Sequence, residues 1–132
     1  MEELKRMETE SKGMVPGRIF LVQPFYGREE IEIFEERKII EEFLRRLFDN
    51  YELEIIDQYH QIPEDVDANG RLFYLGNSIK MMETADMIVF APDFRSARGC
   101  QIENHIAELY ELPRLYLTNE MLEPIKQFFE RW

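Results

Sequence analysis

The chain has 132 residues, and its 27 acidic side chains outnumber its 16 basic ones, which gives a formal net charge of −11. The length suits one domain, and a hydrophobic content of 45% excludes a disordered chain. The excess of acidic side chains excludes binding along a nucleic acid, which needs a basic face, and binding to an anionic membrane surface. It is compatible with one small anionic ligand, because a local site can oppose the global charge.

A single cysteine, Cys100, excludes a disulfide within the chain and indicates a reducing compartment. The charged segment 1–12 lacks the apolar core of a signal peptide, and no run approaches the roughly 20 apolar residues of a membrane span. We therefore predict a soluble, cytoplasmic protein without a membrane partner. Residues 1–17 are predicted to be an appendage, and residues 18–132 a single domain.

Apolar runs and helical stripes alternate along the domain. Strands are predicted at 18–22, 53–56, 87–92 and 115–117, and helices at 28–48, 72–84 and 100–111. The connections 59–70 and 93–99 are predicted to be loops. A last helix is predicted to begin near Glu123, because Pro124 is tolerated only in a first turn. The pattern predicts an α/β, doubly wound, Rossmann-like domain with a four- or five-stranded, mostly parallel sheet and helices on both faces.

The ligand crevice of such a sheet lies at the carboxyl ends of its strands. The loop 93–99 is one of the segments at that edge, and free N–H groups at the following helix start, with Ser96 and Arg98, suit a phosphate or carboxylate. Glu103 faces the crevice if Ile102, Ile106, Leu109 and Tyr110 face the core. A carboxylate there can attack a sugar anomeric carbon or bind ribose hydroxyls. The alternative is that Glu103 only favours the positive helix N-terminus.

Other chemistry finds little support in the sequence. A phosphate loop of the G-x-x-x-x-G-K type and a G-x-G-x-x-G after the first strand are both absent, which disfavours a nucleotide triphosphatase or a dinucleotide dehydrogenase. His60 and His105 are too few for a zinc site. We predict neither a metal nor another cofactor. Cys100 lies near a helix N-terminus, which can lower a thiol pKa, but the sequence places no histidine beside it.

Five segments carry a resemblance to a known family. They are RIFLVQPFYG at 18–27, ER at 36–37, YLGNSI at 74–79, ADMIVF at 85–90 and RGCQIE at 98–103. In this order they resemble a short branch of the nucleoside 2-deoxyribosyltransferase-like superfamily that is found in bacteria and phages. The resemblance covers about residues 18–117, and its most specific part is RGCQIE.

The resemblance implies roles for particular residues. The better-known members are deoxyribosyltransferases and deoxynucleoside-monophosphate N-hydrolases, in which a glutamate matching Glu103 attacks the anomeric carbon. Their serine and glycine that hold phosphate are similar to Ser96 and Gly99. Their first loop lines base and sugar, and here it consists of Gln23, Pro24, Phe25, Tyr26 and Gly27. Such members are usually dimers or larger, so the resemblance implies a homo-oligomer.

Two departures from the family pattern bear on catalysis. The superfamily usually has a glycine where Gln23 stands, and an aspartate at the start of a helix where Ser78 stands, eight residues ahead of Asp86. A serine can hydrogen-bond a ribose hydroxyl but cannot act as a carboxylate base. Cleavage normally needs a second acid or base beside the nucleophile, and Asp93 supplies one only if its loop folds inward.

The sequence therefore predicts binding of a nucleoside monophosphate or related ribose-phosphate compound, with Glu103 cleaving or transferring its N-glycosidic bond. The alternative is a non-catalytic protein that senses or sequesters a nucleotide signal, for example one derived from NAD, in the same crevice. A third interpretation is an interaction domain with a vestigial pocket. The predicted substrate-binding residues are Gln23, Pro24, Phe25, Tyr26, Gly27, Ser78, Asp93, Ser96, Arg98 and Gly99.

Overall fold

The structure, a computed structural model, describes residues 15–56 and 68–130, with side chains from residue 72 onward in the second range. Its strands form one parallel sheet in the order β2-β1-β3-β4. The strands are β1 (Arg18–Val22), β2 (Glu54–Ile56), β3 (Met87–Phe90) and β4 (Arg114–Tyr116). The helices are α1 (Glu30–Phe48), α2 (Ala68–Glu83), α3 (Arg98–Leu109) and α4 (Asn119–Glu130), with a 3₁₀ turn at Phe94–Ser96. The predicted doubly wound α/β fold is confirmed.

The sheet is buried on both faces, as its consecutive apolar residues predict. Ile19 and Leu21 of β1 belong to a cluster that includes buried side chains of α1 and α4, such as Ile40 and Leu122. The intervening Phe20 belongs to a second cluster with side chains of α2 and α3. Side chains alternate between the two faces of a strand, so the two clusters form one core on each side of the sheet.

The strand order reverses at β1. The chain moves from β1 to one neighbour, β2, and then returns to the other neighbour, β3, which pairs with β1 from Ile19 opposite Met87 to Val22 opposite Phe90. Ligands of open α/β sheets bind at such a switch point, outside the carboxyl ends of the two strands. The loops that follow β1 and β3 are two of the three loops predicted at the ligand edge, and the topology brings them together. The third, which follows β2, lies outside the described residues.

All four helix starts differ from the prediction, and α1 begins at Glu30 instead of residue 28. α2 begins at Ala68, so Gly70 is helical, whereas residues 59–67 of the predicted loop, like residues 1–14 of the predicted appendage, lie outside the described residues. α3 begins at Arg98, which places Gly99 in its first turn instead of in a loop. α4 begins at Asn119, not near Glu123.

Pro124 consequently lies inside α4. The Oγ1 of Thr118 accepts a hydrogen bond from the N–H of Met121 at 3.2 Å, which caps the helix before the proline. Leu122 and Ile125 are both buried. A proline removes one helical hydrogen bond, and we attribute its tolerance here to the cap and to the packing of these two side chains.

Asp86 fastens the start of β1 to the start of β3, and its removal should destabilise the fold. Its Oδ2 accepts hydrogen bonds from the N–H groups of Gly17 and Arg18, each at 2.9 Å. Asp86→Ala should lower the free energy of unfolding by about 1–3 kcal/mol, as measured in urea, because two amides lose their acceptor. Asp86→Asn keeps an acceptor and should lose less. Glu83→Ala, an exposed acid on α2, is the control, and an equal loss in this control would contradict the assignment.

Candidate active site at the β1 and β3 carboxyl ends

The loop after β1 is held in place by a buried polar cluster. Gln23 is only 4% exposed, and its Nε2 donates to the carbonyl of Ile33 at 3.0 Å and to Oε1 of Glu36 at 2.9 Å. Arg28 Nη1 donates to the same Glu36 oxygen and to the carbonyl of Pro24, both at 3.0 Å. Glu36 thereby joins both ends of the loop to α1. No role was predicted for Arg28 or for the Glu36 side chain, although their opposite charges, eight residues apart after the loop, were a signal.

The outer part of this loop carries the aromatic side chains. Phe25 is half-buried and Tyr26 is exposed, and the carbonyl of Phe25 accepts a hydrogen bond from the N–H of Arg28 at 3.2 Å. Gly27 closes the turn with a φ of 76°, a left-handed conformation that favours glycine. All five predicted residues of the first loop therefore lie on one turn at the carboxyl end of β1.

The loop after β3 leads into a helix without a side-chain cap. Ser96 Oγ donates to the carbonyl of Asp93 at 2.8 Å, which closes the 3₁₀ turn and leaves the Oγ lone pairs as acceptors. Ala97 is the N-cap of α3 and makes no side-chain cap hydrogen bond. The first-turn N–H groups of this 12-residue helix therefore have no capping side chain. Arg98 is exposed beside them, and the combination suits an anion.

Glu103 is buried because the face of α3 that packs against the core differs from the predicted one. Cys100, Glu103 and Ala107 are the buried residues of α3. Ile102, Leu109 and Tyr110, which were predicted to face the core with Ile106, are exposed, and only Ile106 packs against it. The prediction was wrong because it assumed that the face of α3 with the large apolar side chains packs against the core. The face turned inward carries the small Cys100 and Ala107, which allow a close approach of the helix.

The structure places Ser78 on a different helix from Glu103. Ser78 is half-buried in the interior of α2, as the predicted helix 72–84 implies, whereas the family's aspartate starts a helix. A Cβ on Gly99, in the first turn of α3, would lie 3.9 Å from Cδ1 of Leu75 in α2, so the two helices approach each other at these residues.

Burial changes the protonation of Glu103. Its side chain is 7% exposed, and desolvation raises its pKa from 4.5 to about 8. None of the hydrogen bonds and ion pairs recorded for the described residues involves its carboxyl, and its oxygens are not among the fully buried atoms that lack a partner. With this pKa, Glu103 is mostly protonated at neutral pH and can donate a proton, whereas nucleophilic attack requires that the proton first be lost.

Neither Cys100 nor Asp93 can assist Glu103 as a reactive group. Burial, followed by the nearby charge of Glu103, raises the pKa of Cys100 to about 12, so its thiol stays protonated at neutral pH. Asp93 is exposed, and no contact among the described residues joins its carboxylate to Glu103. The predicted residues thus form two groups, one on each loop, while Glu103 is buried in α3 and Ser78 lies inside α2.

A cavity of about 570 Å³ lies farther along the same edge, between the 3₁₀ turn and β4. Its wall includes Phe94, Arg95, Arg114 and Tyr116, and the Tyr116 ring stacks on Phe90 with centroids 4.8 Å apart. None of the predicted site residues lines this cavity, and the sequence analysis did not anticipate it.

Within residues 15–56 and 68–130, no group of three or more His, Cys, Asp or Glu side chains is arranged to hold a metal ion. Over the same residues, no helix has the length and apolar character needed to cross a membrane. Comparison of the chain with protein-family models, with curated proteins and with solved structures finds no match. The functional conclusions therefore depend on the geometry of the site.

Proposed function

We propose that the protein binds a nucleoside monophosphate, or a related ribose-phosphate compound, in the crevice between the carboxyl ends of β1 and β3. The observation that carries this proposal is a buried, unpaired carboxyl group, Glu103, one turn from an uncapped helix N-terminus at the switch point of the sheet. A protein leaves such a group without a partner where a ligand supplies one.

The phosphate of this ligand lies at the start of α3. The N–H groups of the first turn and the guanidinium of Arg98 bind it, and Gly99 presents no side chain to obstruct its approach. With Glu103 mostly protonated at pH 7, the segment from Asp93 to Glu103 has two arginines and one ionised acid. This local excess of positive charge opposes the net charge of −11 of the whole chain.

Glu103 is also placed to act on the N-glycosidic bond of the ligand. Glu103 first gives its proton to water; its carboxylate then attacks the anomeric carbon, the bond from that carbon to the base nitrogen breaks, and the leaving base takes a proton from water. Water or an acceptor base then displaces the glutamate and completes hydrolysis or transfer. Burial has two opposite effects on this role: it keeps most of the carboxyl protonated at neutral pH, and it strengthens the interaction of the ionised fraction with developing positive charge on the sugar.

The second candidate is a protein that senses or sequesters a nucleotide without cleaving it. The observation in its favour is that a serine, Ser78, occupies the sequence position of the expected second acid, and that Asp93 is exposed. We further propose that the protein is cytoplasmic and forms a homo-oligomer through an apolar surface such as Ile102, Leu109 and Tyr110 on the outer face of α3.

One experiment separates the two candidates. The protein is incubated with deoxynucleotides, nucleosides and NAD-derived cyclic nucleotides, and base release and the thermal shift are measured. For an enzyme, Glu103→Gln should reduce base release by roughly 10²- to 10⁴-fold. Glu108→Gln on the exposed side of the same helix is the matched control and should leave it unchanged. A large thermal shift with the ligand recovered intact supports the binding protein, and neither shift nor turnover with any compound contradicts both.

A further inference from the structure

The cavity between the 3₁₀ turn and β4 carries an excess of positive charge. Its lining residues include two arginines, Arg95 and Arg114, and one acid, Glu108. Neither arginine takes part in an ion pair recorded for the described residues. Five other arginines do form recorded pairs with carboxylates, namely Arg18, Arg28, Arg37, Arg45 and Arg46. In a chain with 27 acidic side chains, two arginines without such a pair beside one cavity favour an external anion there.

The guanidinium of Arg114 is held in one orientation by its neighbours. Its Nε donates to the hydroxyl of Tyr116 and its Nη1 to the carbonyl of Leu112, both at 3.2 Å. The Tyr116 hydroxyl in turn donates to Oδ1 of Asn104 at 2.6 Å, and Nδ2 of Asn104 donates to Oε1 of Glu108 at 3.0 Å. A group that is fixed in this way loses little conformational freedom when a ligand binds to it.

The fixed guanidinium keeps donors for a ligand. A guanidinium has five N–H groups, and within residues 15–56 and 72–130 no hydrogen bond from Nη2 of Arg114 is recorded. The N–H groups of Nη2, with the second one of Nη1, suit paired hydrogen bonds to the oxygens of a carboxylate or a phosphate. The recorded bond of Glu108 is to Asn104 on the same helix, so this acid does not occupy the donors of Arg114.

The cavity is larger than a bare anion and is partly apolar. Its volume of about 570 Å³ falls within the range of roughly 300–1,000 Å³ that is typical of small-molecule sites. Pro92, Phe94 and Leu117 contribute to its wall, and Tyr116, which is 36% exposed, adds an aromatic surface. A ligand with a flat apolar body beside its anionic group therefore suits the cavity better than inorganic phosphate does.

We propose that this cavity binds a small organic anion, whose carboxylate or phosphate pairs with Arg114 and whose flat apolar body lies against the ring of Tyr116. Arg95, with its guanidinium over the Phe94 ring, adds positive charge to the same wall. The site is separate from the nucleotide crevice, since none of the residues predicted for that crevice lines the cavity. The inference does not depend on the proposed function.

Four probes test the ligand class, namely benzoate, phenyl phosphate, benzamide and inorganic phosphate. Each is titrated into the wild-type protein while NMR chemical shifts are recorded. Benzoate or phenyl phosphate should bind saturably and roughly tenfold or more tightly than benzamide, which has the same shape as benzoate without the charge. The tighter of the two distinguishes a carboxylate site from a phosphate site. Absence of saturable binding by both anionic rings, or binding of benzamide or inorganic phosphate within twofold of them, overturns the inference.

Substitutions locate the bound anion. Arg114→Ala should weaken the tighter anionic probe roughly tenfold or more, and Arg114→Lys should restore only part of the loss, because lysine keeps the charge but lacks the planar fork. Lys80→Ala, which removes one exposed positive charge from α2, is the matched control and should leave the affinity unchanged. An affinity that falls in Arg98→Ala but not in Arg114→Ala places the probe in the nucleotide crevice and overturns the inference. If Arg114→Ala does not fold, Arg114→Lys and the wild-type ratios decide the outcome.

Discussion

Replacing Glu103 with glutamine is expected to remove a loss of stability that the wild-type protein undergoes between about pH 4.5 and pH 8. Burial raises the pKa of Glu103 from 4.5 to about 8, so the folded state holds this proton more tightly than the unfolded state. The stabilisation from the bound proton is complete below pH 4.5 and is lost as the pH rises towards 8. At 1.36 kcal/mol per pKa unit, the loss amounts to at most about 5 kcal/mol.

The measurement is urea unfolding of both proteins at several pH values in this window. A glutamine at position 103 remains neutral, so the difference in the free energy of unfolding between Glu103→Gln and wild type should grow with pH and level off above about 8. Glu108→Gln controls for the removal of one acidic group from α3, because Glu108 is exposed. A difference between Glu103→Gln and wild type that does not vary with pH would show that Glu103 is ionised in the folded protein.

The same burial connects stability to the proposed chemistry. At neutral pH an apolar side chain at position 103 would fill the space without the cost of desolvating a carboxyl group. The presence of Glu103 among Cys100 and Ala107 is therefore explained better by a ligand than by packing. Sites that hold a strained or desolvated group commonly reduce stability in exchange for activity.

The sheet and its switch point could be predicted because their signals are local. Strands such as β1 and β3 are runs of consecutive apolar residues, which only a sheet covered on both faces buries. Their alternation with helices then predicts the parallel order and the edge at which the ligand loops meet. The position of Glu103 in the helix after β3 was likewise predicted, but the condition for its facing the crevice, that Ile102 and Ile106 face the core, is not met because Ile102 is exposed.

The polar cluster and the orientation of α3 could not be predicted, because they depend on contacts between distant residues. Gln23 and Glu36 are 13 residues apart, and only the folded loop brings them together. The apolar Ile102, Leu109 and Tyr110 share one face of α3. The small Cys100 and Ala107 share a different face. Periodicity identifies a face but does not say whether the sheet or a different surface covers it.

Arg98→Ala is expected to weaken phosphorylated ligands by roughly 10- to 100-fold while leaving the matching nucleosides unchanged. Arg98 is exposed beside the first turn of α3, and none of the ion pairs recorded for the described residues involves it. A charge-assisted hydrogen bond to phosphate is worth about 1.5–3 kcal/mol, which corresponds to this range of affinity. Calorimetric titration of each nucleotide and its nucleoside measures the effect.

Arg95→Ala separates a local contact from a general effect of charge. It removes the same charge from the neighbouring 3₁₀ turn, where the guanidinium lies over the Phe94 ring at 4.8 Å from its centroid. Long-range repulsion between an anionic ligand and a chain of net charge −11 would increase by the same amount in both variants and would be screened by salt beyond roughly 10 Å. A direct contact loses affinity only in Arg98→Ala. Equal losses in the two variants, or equal losses for nucleotide and nucleoside, would remove Arg98 from the phosphate site and leave the helix N–H groups to bind the anion.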